Sequence, residues 1–477
     1  MIERTKVRNG IGLVFALGAL VHCYGDGGLN RNERSAGNTD DGVAVGFGEI
    51  AIDPTGKYLI SSNNGRLMHG DLQSGATRKL SQLTGTTRVA FDHAGSTLFA
   101  TLLSVEVSAK VQARKTWLDG HVDLSFARLV RYDVGQNRVL WSKSIELAVA
   151  WEDARGLQTY PYLELTDDDQ RLIVTFADRV EVLAAKSGEV LWTTHTLPQR
   201  VVDVDLTPDQ KQLVITLDHT WDRDRPTTVI QIRDLITWDV REISVPNCAD
   251  ELAITADQHY ALLAPTTCKP APMVNKDPVS VIDLEQAKFV RNLPGFGPVA
   301  LAAGGSTAVA FMDLDNLDPS LFPDKAQLPQ GERYQLMLID TESLEFEAVE
   351  LGDSLPRYAL SPDGQLLLVD APTLWKDGRV RILDVASKQL TQVKGPSLQL
   401  DNYVMTSDSA QVFLIDGGLY RITLADRTAN AEPIDFSPTH LNITPDDHTL
   451  VLRENANTLW LYDASKAELG ISLTLDP

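Results

Sequence analysis

Short stretches of alternating apolar and polar residues repeat along most of this chain. The most regular copy is Pro356–Leu390, where alternation at Tyr358 and Leu360 leads into the turn Ser361–Gly364 and then into an apolar run. Pro fixes φ at the second position of such a turn and Gly accepts a positive φ at its end, so the segment predicts a tight hairpin. A third alternating strand and a second turn, Asp384–Ser387, follow. The whole segment therefore predicts four short antiparallel strands.

Nine segments share this hairpin pattern of an apolar strand, a turn with Asp, Pro or Gly, and a second apolar strand. They are Glu49–Ile60, Arg88–Ala100, Tyr162–Val174, Asp203–Ile215, Glu251–Leu263, Pro298–Ala310, Arg357–Val369, Tyr403–Ile415 and Leu441–Leu452. Many short strands in repeated units, with no helical period between them, are typical of a β-propeller. The expected fold class is all-β, a single propeller of four-stranded antiparallel blades over residues 43–477. Nine copies exceed the usual four to eight blades, so eight or nine blades are expected. A β-sandwich is the alternative fold, but it would not need so many copies of one unit.

The turns of the type Ser/Thr-Pro-Asp-Gly and the strand endings of the type Ile-Asp-Leu resemble those of YVTN and WD40-like propellers of bacterial exported proteins. The endings KSGEVLWTT (186–194) and QNRVLWSKS (136–144) resemble the pyrroloquinoline-type repeat, in which a Trp closes the blade. These motifs specify the geometry of a blade and carry no chemistry of their own.

The N-terminal residues have the pattern of an export signal. Three basic residues, Arg4, Lys6 and Arg8, precede the apolar run Ile11–Val21, and Cys23 follows. The four residues that end at Cys23 resemble the lipobox of bacterial lipoproteins, which implies acylation of Cys23. An ordinary secretory signal with an incidental Cys is the alternative. Residues 24–42, rich in Gly, Asn and Asp, predict a flexible tether between this segment and the propeller.

The charge of the chain limits its partners. The formal net charge is −22 and the sequence pI is about 4.8. Such a field repels phosphate backbones and anionic head groups, so we expect no nucleic-acid partner and membrane contact through the lipid anchor only. The expected location is periplasmic or on the cell surface of a bacterium.

The connections inside the blades differ in length. In a four-stranded blade, the first and third turns lie at one face of the disc and the second-to-third connection lies at the other. Five of these second-to-third connections are long: Leu103–Phe126, Asp218–Thr228, Pro265–Asp277, Met312–Arg333 and Ala371–Gly378. Long loops on one side of a rigid scaffold are more often a recognition surface than an accident. Insertions tolerated at little cost are the alternative.

The long loops carry aromatic side chains next to charged ones, the types that dominate interface energetics. The candidate binding residues are Trp117, Trp221, Asp222, Arg223, Asp224, Phe322, Trp375 and Lys376. The expected partner is a protein or polysaccharide of the cell envelope.

One long loop also contains the acidic residues Asp313, Asp315 and Asp318. Their oxygen atoms suit a hard cation such as calcium. Leu317 stands where an EF-type loop needs an oxygen donor, so a solvated acidic loop is the alternative. We expect no other cofactor.

Two further cysteines, Cys248 and Cys268, form an even pair if Cys23 is acylated. They lie equally far on either side of Gln258, near which the hairpin Glu251–Leu263 is expected to turn. Opposed residues of a hairpin come within disulfide reach, so a Cys248–Cys268 bridge is expected in an oxidising compartment.

Sequence motifs of catalysis are missing. The chain contains no GxSxG, HExxH, GxxxxGK[ST] or CxxCH, and its nine His are scattered singly. The favoured interpretation is therefore a non-catalytic binding scaffold with no catalytic residues. The resemblance to YVTN propellers leaves one alternative, a lactonase-like hydrolase with a metal in the channel.

Overall fold

The computed structural model describes a large part of the chain after residue 42. The described ranges are 43–44, 50–63, 66–84, 86–103, 126–146, 161–176, 178–194, 200–218, 227–249, 251–264, 278–302, 306–322, 329, 331, 333–352, 357–370, 380–400 and 402–475. The proposed export segment and tether lie outside these ranges.

The strands form nine antiparallel sheets, numbered here as blades in chain order. The two-residue strand β1 is Val43–Ala44. Blade 1 has β2 (Ile50–Ile52), β3 (Tyr58–Asn63), β4 (Arg66–Asp71) and β5 (Thr77–Thr84); blade 2 has β6 (Thr86–Phe91), β7 (Thr97–Leu103), β8 (Phe126–Asp133) and β9 (Arg138–Glu146); blade 3 has β10 (Tyr162–Leu165), β11 (Arg171–Thr175), β12 (Val180–Ala184) and β13 (Val190–Thr193). Blade 4 has β14 (Arg200–Leu206), β15 (Gln212–Asp218), β16 (Thr228–Asp234) and β17 (Val240–Val245); blade 5 has β18 (Glu251–Ile254), β19 (Tyr260–Ala264), β20 (Val279–Asp283) and β21 (Lys288–Leu293); blade 6 has β22 (Phe296–Leu301), β23 (Thr307–Asp313), β24 (Tyr334–Asp340) and β25 (Phe346–Gly352). Blade 7 has β26 (Arg357–Leu360), β27 (Leu366–Asp370), β28 (Arg381–Asp384) and β29 (Gln389–Gln392); blade 8 has β30 (Tyr403–Met405), β31 (Gln411–Ile415), β32 (Leu419–Thr423) and β33 (Thr428–Ala431); blade 9 has β34 (His440–Ile443), β35 (Thr449–Asn455), β36 (Thr458–Asp463) and β37 (Glu468–Thr474). Two short 3₁₀ turns, Leu314–Asn316 and Pro319–Leu321, follow β23.

Each blade takes its four strands in sequence order, so all nine predicted hairpins are confirmed and the fold is a nine-bladed propeller. The first strands of neighbouring blades contact one another and lie nearest the axis. The second and third strands are buried, as in β20, whereas fourth strands such as β37 are largely exposed. Strand β1 pairs antiparallel with β6, the first strand of blade 2.

The apolar core consists of nine clusters, each formed between two neighbouring blades. The cluster that closes the ring joins Leu59 of blade 1 to Leu459 and Leu473 of blade 9. Blades 9 and 1 exchange no strand, because each takes its four strands from its own end of the chain. The closure is instead held by packing and by side-chain hydrogen bonds, including Asn442 Nδ2 to the Ile50 carbonyl at 3.0 Å.

A repeated hydrogen-bond pattern shapes the turn between the first and second strands. In blade 8, the Thr406 hydroxyl donates to Asp408 at 2.6 Å and accepts from the Gln411 N–H at 3.0 Å. The fourth turn residue has a positive φ, 58° at Ser409 and 70° at Gly364. The predicted role of Gly364 is therefore confirmed, while other blades place Asp, Gln or Ser in this left-handed conformation.

These turns contact one another from blade to blade. The Asp363 N–H donates to Ser409 Oγ at 3.0 Å, and the Ser407 N–H donates to Asp447 Oδ2 at 2.8 Å. Between blades 2 and 3, the His93 N–H donates to Asp169 Oδ1 at 3.1 Å. The first-to-second turns therefore lie at one face of the disc. Because the strands are antiparallel, the second-to-third connections begin and end at the opposite face, as the sequence predicts.

Fourth strands are tied to the following blade. Trp141 Nε1 of blade 2 donates to the Ala185 carbonyl of blade 3 at 3.0 Å, and Arg241 of blade 4 donates to the Glu285 carbonyl of blade 5 at 2.7 Å. Trp192 of blade 3 stacks on Trp238 of blade 4, with ring centroids 5.7 Å apart. The two Trp residues expected to close their blades thus rest on the next blade.

Candidate functional site

The aromatic and charged residues proposed for the long-loop face fall mostly outside the described residues. These are Trp117, Trp221, Asp222, Arg223, Asp224, Trp375 and Lys376. The strands that flank their loops are described, and they place each loop between the second and third strands of its blade. The proposed recognition surface therefore stays a prediction.

Phe322 is the one proposed anchor that the structure places. Only 6% of its surface is exposed, and its ring meets the edge of Phe346 at a centroid distance of 6.0 Å. It follows the 3₁₀ turn Pro319–Leu321, and its N–H donates to the Pro319 carbonyl. Phe322 thus packs inside the protein, and we leave it out of the binding surface proposed below.

The acidic residues of the same loop have partners within the protein. Asp313 accepts two hydrogen bonds from the Arg333 guanidinium, at 3.0 and 2.9 Å, and Asp315 lies 3.2 Å from Arg333 Nε. Asp318 caps the second 3₁₀ turn by accepting from the Ser320 N–H at 2.8 Å. The positive charge next to Asp313 and Asp315 is therefore the guanidinium group of Arg333. Within the described ranges, no group of three or more His, Cys, Asp or Glu is arranged to hold a metal ion.

Cys248 is buried, with 3% of its surface exposed, after the last strand of blade 4. Cys268 lies outside the described residues. The following hairpin pairs Glu251 with Ala264, so it turns between Asp257 and Gln258, near Gln258 as the sequence predicts. The disulfide stays a prediction.

A cavity of about 530 Å³ lies between blades 1 and 2, on the face of the first-to-second turns. Blade 1 contributes side chains from its first turn, its third strand and its fourth strand, whereas blade 2 contributes two turns. Its lining includes Thr55, Lys57, Tyr58, His69, Asp71, Thr77, Arg78, Ser96 and Asp133. Most of these side chains are polar, and they come from segments far apart in sequence.

His69 is the buried polar residue of this cavity, with 5% of its surface exposed. Arg78 Nε donates to His69 Nδ1 at 3.4 Å, and the Tyr58 ring lies 4.8 Å from the imidazole. Burial, reinforced by the positive charge of Arg78, lowers the pKa of His69 to about 4. The imidazole is therefore neutral at pH 7. Because Nδ1 accepts a hydrogen bond, the ring proton is on Nε2, and this buried N–H has no acceptor among the described residues.

The carboxylates of the cavity are engaged by their own turns. Asp71 accepts from the N–H groups of Gln73 and Ser74, at 3.0 and 2.7 Å, and these bonds hold the pKa of Asp71 below its usual value. Asp133 accepts from the Gln136 N–H at 2.8 Å. In contrast, neither Lys57 nor Arg78 forms an ion pair with a carboxylate of the described part of the chain. Arg78 donates instead to His69 Nδ1 and to the Val134 carbonyl.

This chain resembles solved structures of other proteins, at low sequence identity. No protein-family model and no curated protein sequence matches the chain. A hydrazine synthase chain of Kuenenia stuttgartiensis is 16% identical, with a TM-score of 0.38, over 73% of this chain and 95% of that one. A structure titled as a eukaryotic initiation factor is 11% identical, with a TM-score of 0.46, over 89% of this chain and 87% of that one. The Dos1 propeller is 9% identical, with a TM-score of 0.46, over 76% of this chain and 88% of that one. At these values the similarity carries no argument about function.

Sequence reasoning did not single out this cavity, although one signal for it exists. The position two residues before the end of the third strand is apolar in six blades, where it is Val182, Ile232, Val281, Leu338, Ile382 or Leu461. It is His69, Arg131 or Arg421 in the other three. A polar residue at a position that normally packs against the neighbouring blade indicates a local site, but its partners come from other segments and cannot be read from one repeat.

Among the described residues, no helix is long and apolar enough to cross a membrane.

Proposed function

We propose that this protein is an exported, lipid-tethered binding scaffold without catalytic activity, which recognises a protein or polysaccharide of the cell envelope. The partner would bind the loops that connect second and third strands. The observation that carries this proposal is the difference between the two faces of the ring. On one face, all nine first-to-second turns close with the same hydrogen bond from residue i to residue i+5. On the other face, the connections vary from the short link between Asn63 and Arg66 to the long one between Leu103 and Phe126.

This difference matters because both faces belong to the same rigid ring. Nine buried clusters fix the blades, so chain length added to a connection does not disturb the core. Uniform turns that contact one another leave little room for variation, whereas the opposite face has five long connections to contact a partner. Trp221 and Trp375 supply the amphipathic aromatic groups that commonly anchor interfaces.

Replacing both Trp221 and Trp375 with Ala should weaken capture of the partner from a cell-envelope extract while leaving the unfolding midpoint nearly unchanged. Truncation of one buried aromatic anchor commonly costs about 2 kcal/mol or more, a factor of roughly 30 in affinity. Affinity capture with purified wild-type and variant protein, quantified by mass spectrometry, measures the effect.

The matched control changes the opposite face. Asp209→Ala and Asp363→Ala remove carboxylates of the first-to-second turns in blades 4 and 7, which accept hydrogen bonds from Thr207 and Ser361. These variants should lose some stability and keep the partner. If they lose the partner while the Trp variant keeps it, the binding face is the other one and the proposal fails.

The proposed compartment rests on the N-terminal pattern and on the cysteine count. In fractionated cells, wild-type protein should be found with the membranes, and Cys23→Ser should move to the soluble fraction without unfolding, because residues 24–42 separate the anchor from the propeller. Peptide mapping of the same material without reductant should find Cys248 joined to Cys268. Membrane retention of Cys23→Ser would remove the lipid anchor from the proposal, and two free thiols would remove the bridge.

A further inference from the structure

We propose that the chain before Val43 enters the ring through its central channel, from the face of the first-to-second turns (the turn face). A lipid anchor at Cys23 would then hold the turn face toward the membrane and leave the long-loop face open to its partner. The path of the chain follows from the strand pairing, whereas this orientation rests also on the lipid tether of the function proposed above.

Strand β1 lies on the channel side of blade 2. The order of strands in this sheet is β1-β6-β7-β8-β9, and β6 is the first strand of the blade, nearest the axis. Neighbouring strands of a sheet are about 4.8 Å apart, so β1 stands one such spacing further into the channel. In the described part of the chain it is the one strand added to the inner edge of a blade. The N-terminal chain therefore contacts the ring inside the channel and not at the rim.

The register of β1 gives the direction of the chain. Val43 pairs with Val89. Ala44, the next residue, pairs with Arg88, which is one residue closer to the start of β6. Strand β6 ends at Phe91 before its first-to-second turn, so its start lies at the long-loop face. The chain in β1 therefore moves away from the turn face, and the residues before Val43 approach from that face.

The start of blade 1 supports this direction. Strand β2 is a first strand, so Ile50 lies at the long-loop face, where first strands begin. The six residue steps from Ala44 to Ile50 span at most about 20 Å, even when the chain is fully extended. A strand β1 that runs toward the long-loop face ends on the side where β2 starts. The chain thus crosses the channel once before it enters blade 1.

The tether is short compared with the path around the ring. Residues 24–42 are 19 residues, and a flexible chain of this length has a root-mean-square extension of about 24 Å. Four strand spacings separate β1 from the rim of its blade, and the height of a seven-residue strand such as β35 makes the path roughly 40 Å. An anchor on the long-loop side would therefore need a strongly stretched tether, which costs conformational entropy. The turn face is the one that the tether reaches without this cost.

The path is tested by measuring distances between pairs of spin labels in the full chain. The labels are carried by genetically encoded ketone-bearing residues, which leave the three cysteines unchanged. One label replaces Thr39, and the other replaces either His448, exposed in the first-to-second turn of blade 9, or Ala456, exposed in the second-to-third link of the same blade. The seven residues of β35 separate these two reference positions by about 23 Å, so position 39 should lie closer to position 448 by about 10 Å or more. Equal distances, or a shorter distance to position 456, overturn the proposed path.

A double variant tests whether β1 fixes the path. Val43→Pro with Ala44→Pro removes both N–H groups of β1, one of which faces β6, because hydrogen-bonded and non-hydrogen-bonded pairs alternate. The distances from position 39 should then broaden and lose their preference for position 448. Ala36→Pro with Gly37→Pro is the matched control, which places two Pro in the tether outside β1 and should keep the wild-type distances. Unchanged distances in the β1 variant would show that pairing with β6 does not fix the path, and the proposal fails.

The orientation is tested with the anchored full chain on phosphatidylcholine vesicles that contain a head-group spin-labelled lipid, which quenches nearby fluorophores. A fluorophore at position 448 should be quenched more strongly than one at position 456. Equal quenching, or stronger quenching at position 456, overturns the orientation. Protein that does not float with the vesicles would instead refute the lipid tether of the proposed function, and the distances between labels would still decide the path of the chain.

Discussion

Replacing Leu459 with Ala is expected to lower the free energy of unfolding by about 2–5 kcal/mol, the usual range for removing a fully buried Leu side chain. Leu459 lies in the third strand of blade 9 with none of its surface exposed, and it belongs to the cluster that joins blade 9 to blade 1. No strand is shared across this closure, so side-chain packing and side-chain hydrogen bonds hold the two ends of the chain together. Denaturant unfolding followed by tryptophan fluorescence measures the loss.

Two further variants make the result specific to the closure. Leu183→Ala removes an equally buried third-strand residue from the cluster between blades 2 and 3, and it should cost about as much if the ring is uniformly packed. Ile236→Ala changes a side chain that is 70% exposed, and it should stay within about 0.5 kcal/mol of the wild-type protein. A loss below about 1 kcal/mol for Leu459→Ala would show that blades 9 and 1 are not packed together in solution.

The sequence was sufficient to predict the blades, because each hairpin is local. Period-two alternation on both sides of a turn specifies which residues are buried, and the Ser361–Gly364 turn closes as its Pro, Asp and Gly predict. The blade count was left open because nine copies exceed the usual four to eight blades, and sequence repeats do not show how the ring closes. The nine interblade clusters settle it, and they depend on contacts between segments as distant as Leu59 and Leu459.

The candidate sites were less predictable for the same physical reason. Phe322 is an aromatic residue in a long loop, which is typical of a surface anchor. Its burial against Phe346 depends on how the chain returns to the blade after two 3₁₀ turns. The cavity at His69 combines two blades, and no single repeat contains its donors. Asp313 suggested a cation site from its neighbours in sequence, whereas its main partner is Arg333, at the other end of the loop.

Replacing Asp370 with Ala is expected to cost about 2–3 kcal/mol of the free energy of unfolding. Asp370 ends the second strand of blade 7 with none of its surface exposed, and its Oδ2 accepts from the Leu400 N–H at 3.0 Å. This bond ties blade 7 to the segment that leads into blade 8. The Ala variant removes the acceptor from a backbone N–H whose residue is 4% exposed, and a buried N–H that loses a charged acceptor carries a large desolvation penalty.

The Asn variant separates the acceptor from the charge at this position. Asp370→Asn keeps the shape of the side chain and one oxygen atom that can accept from Leu400, so less than half of the loss is expected. Equal losses for Asn and Ala would show that the negative charge matters more than the hydrogen bond. Asp370 lies directly before the loop that contains Trp375. Partner capture by the Asn variant therefore also measures whether binding needs Asp370 to fix the start of this loop. If capture falls while the unfolding midpoint is retained, the position of this loop is part of the recognition surface and not only of the fold.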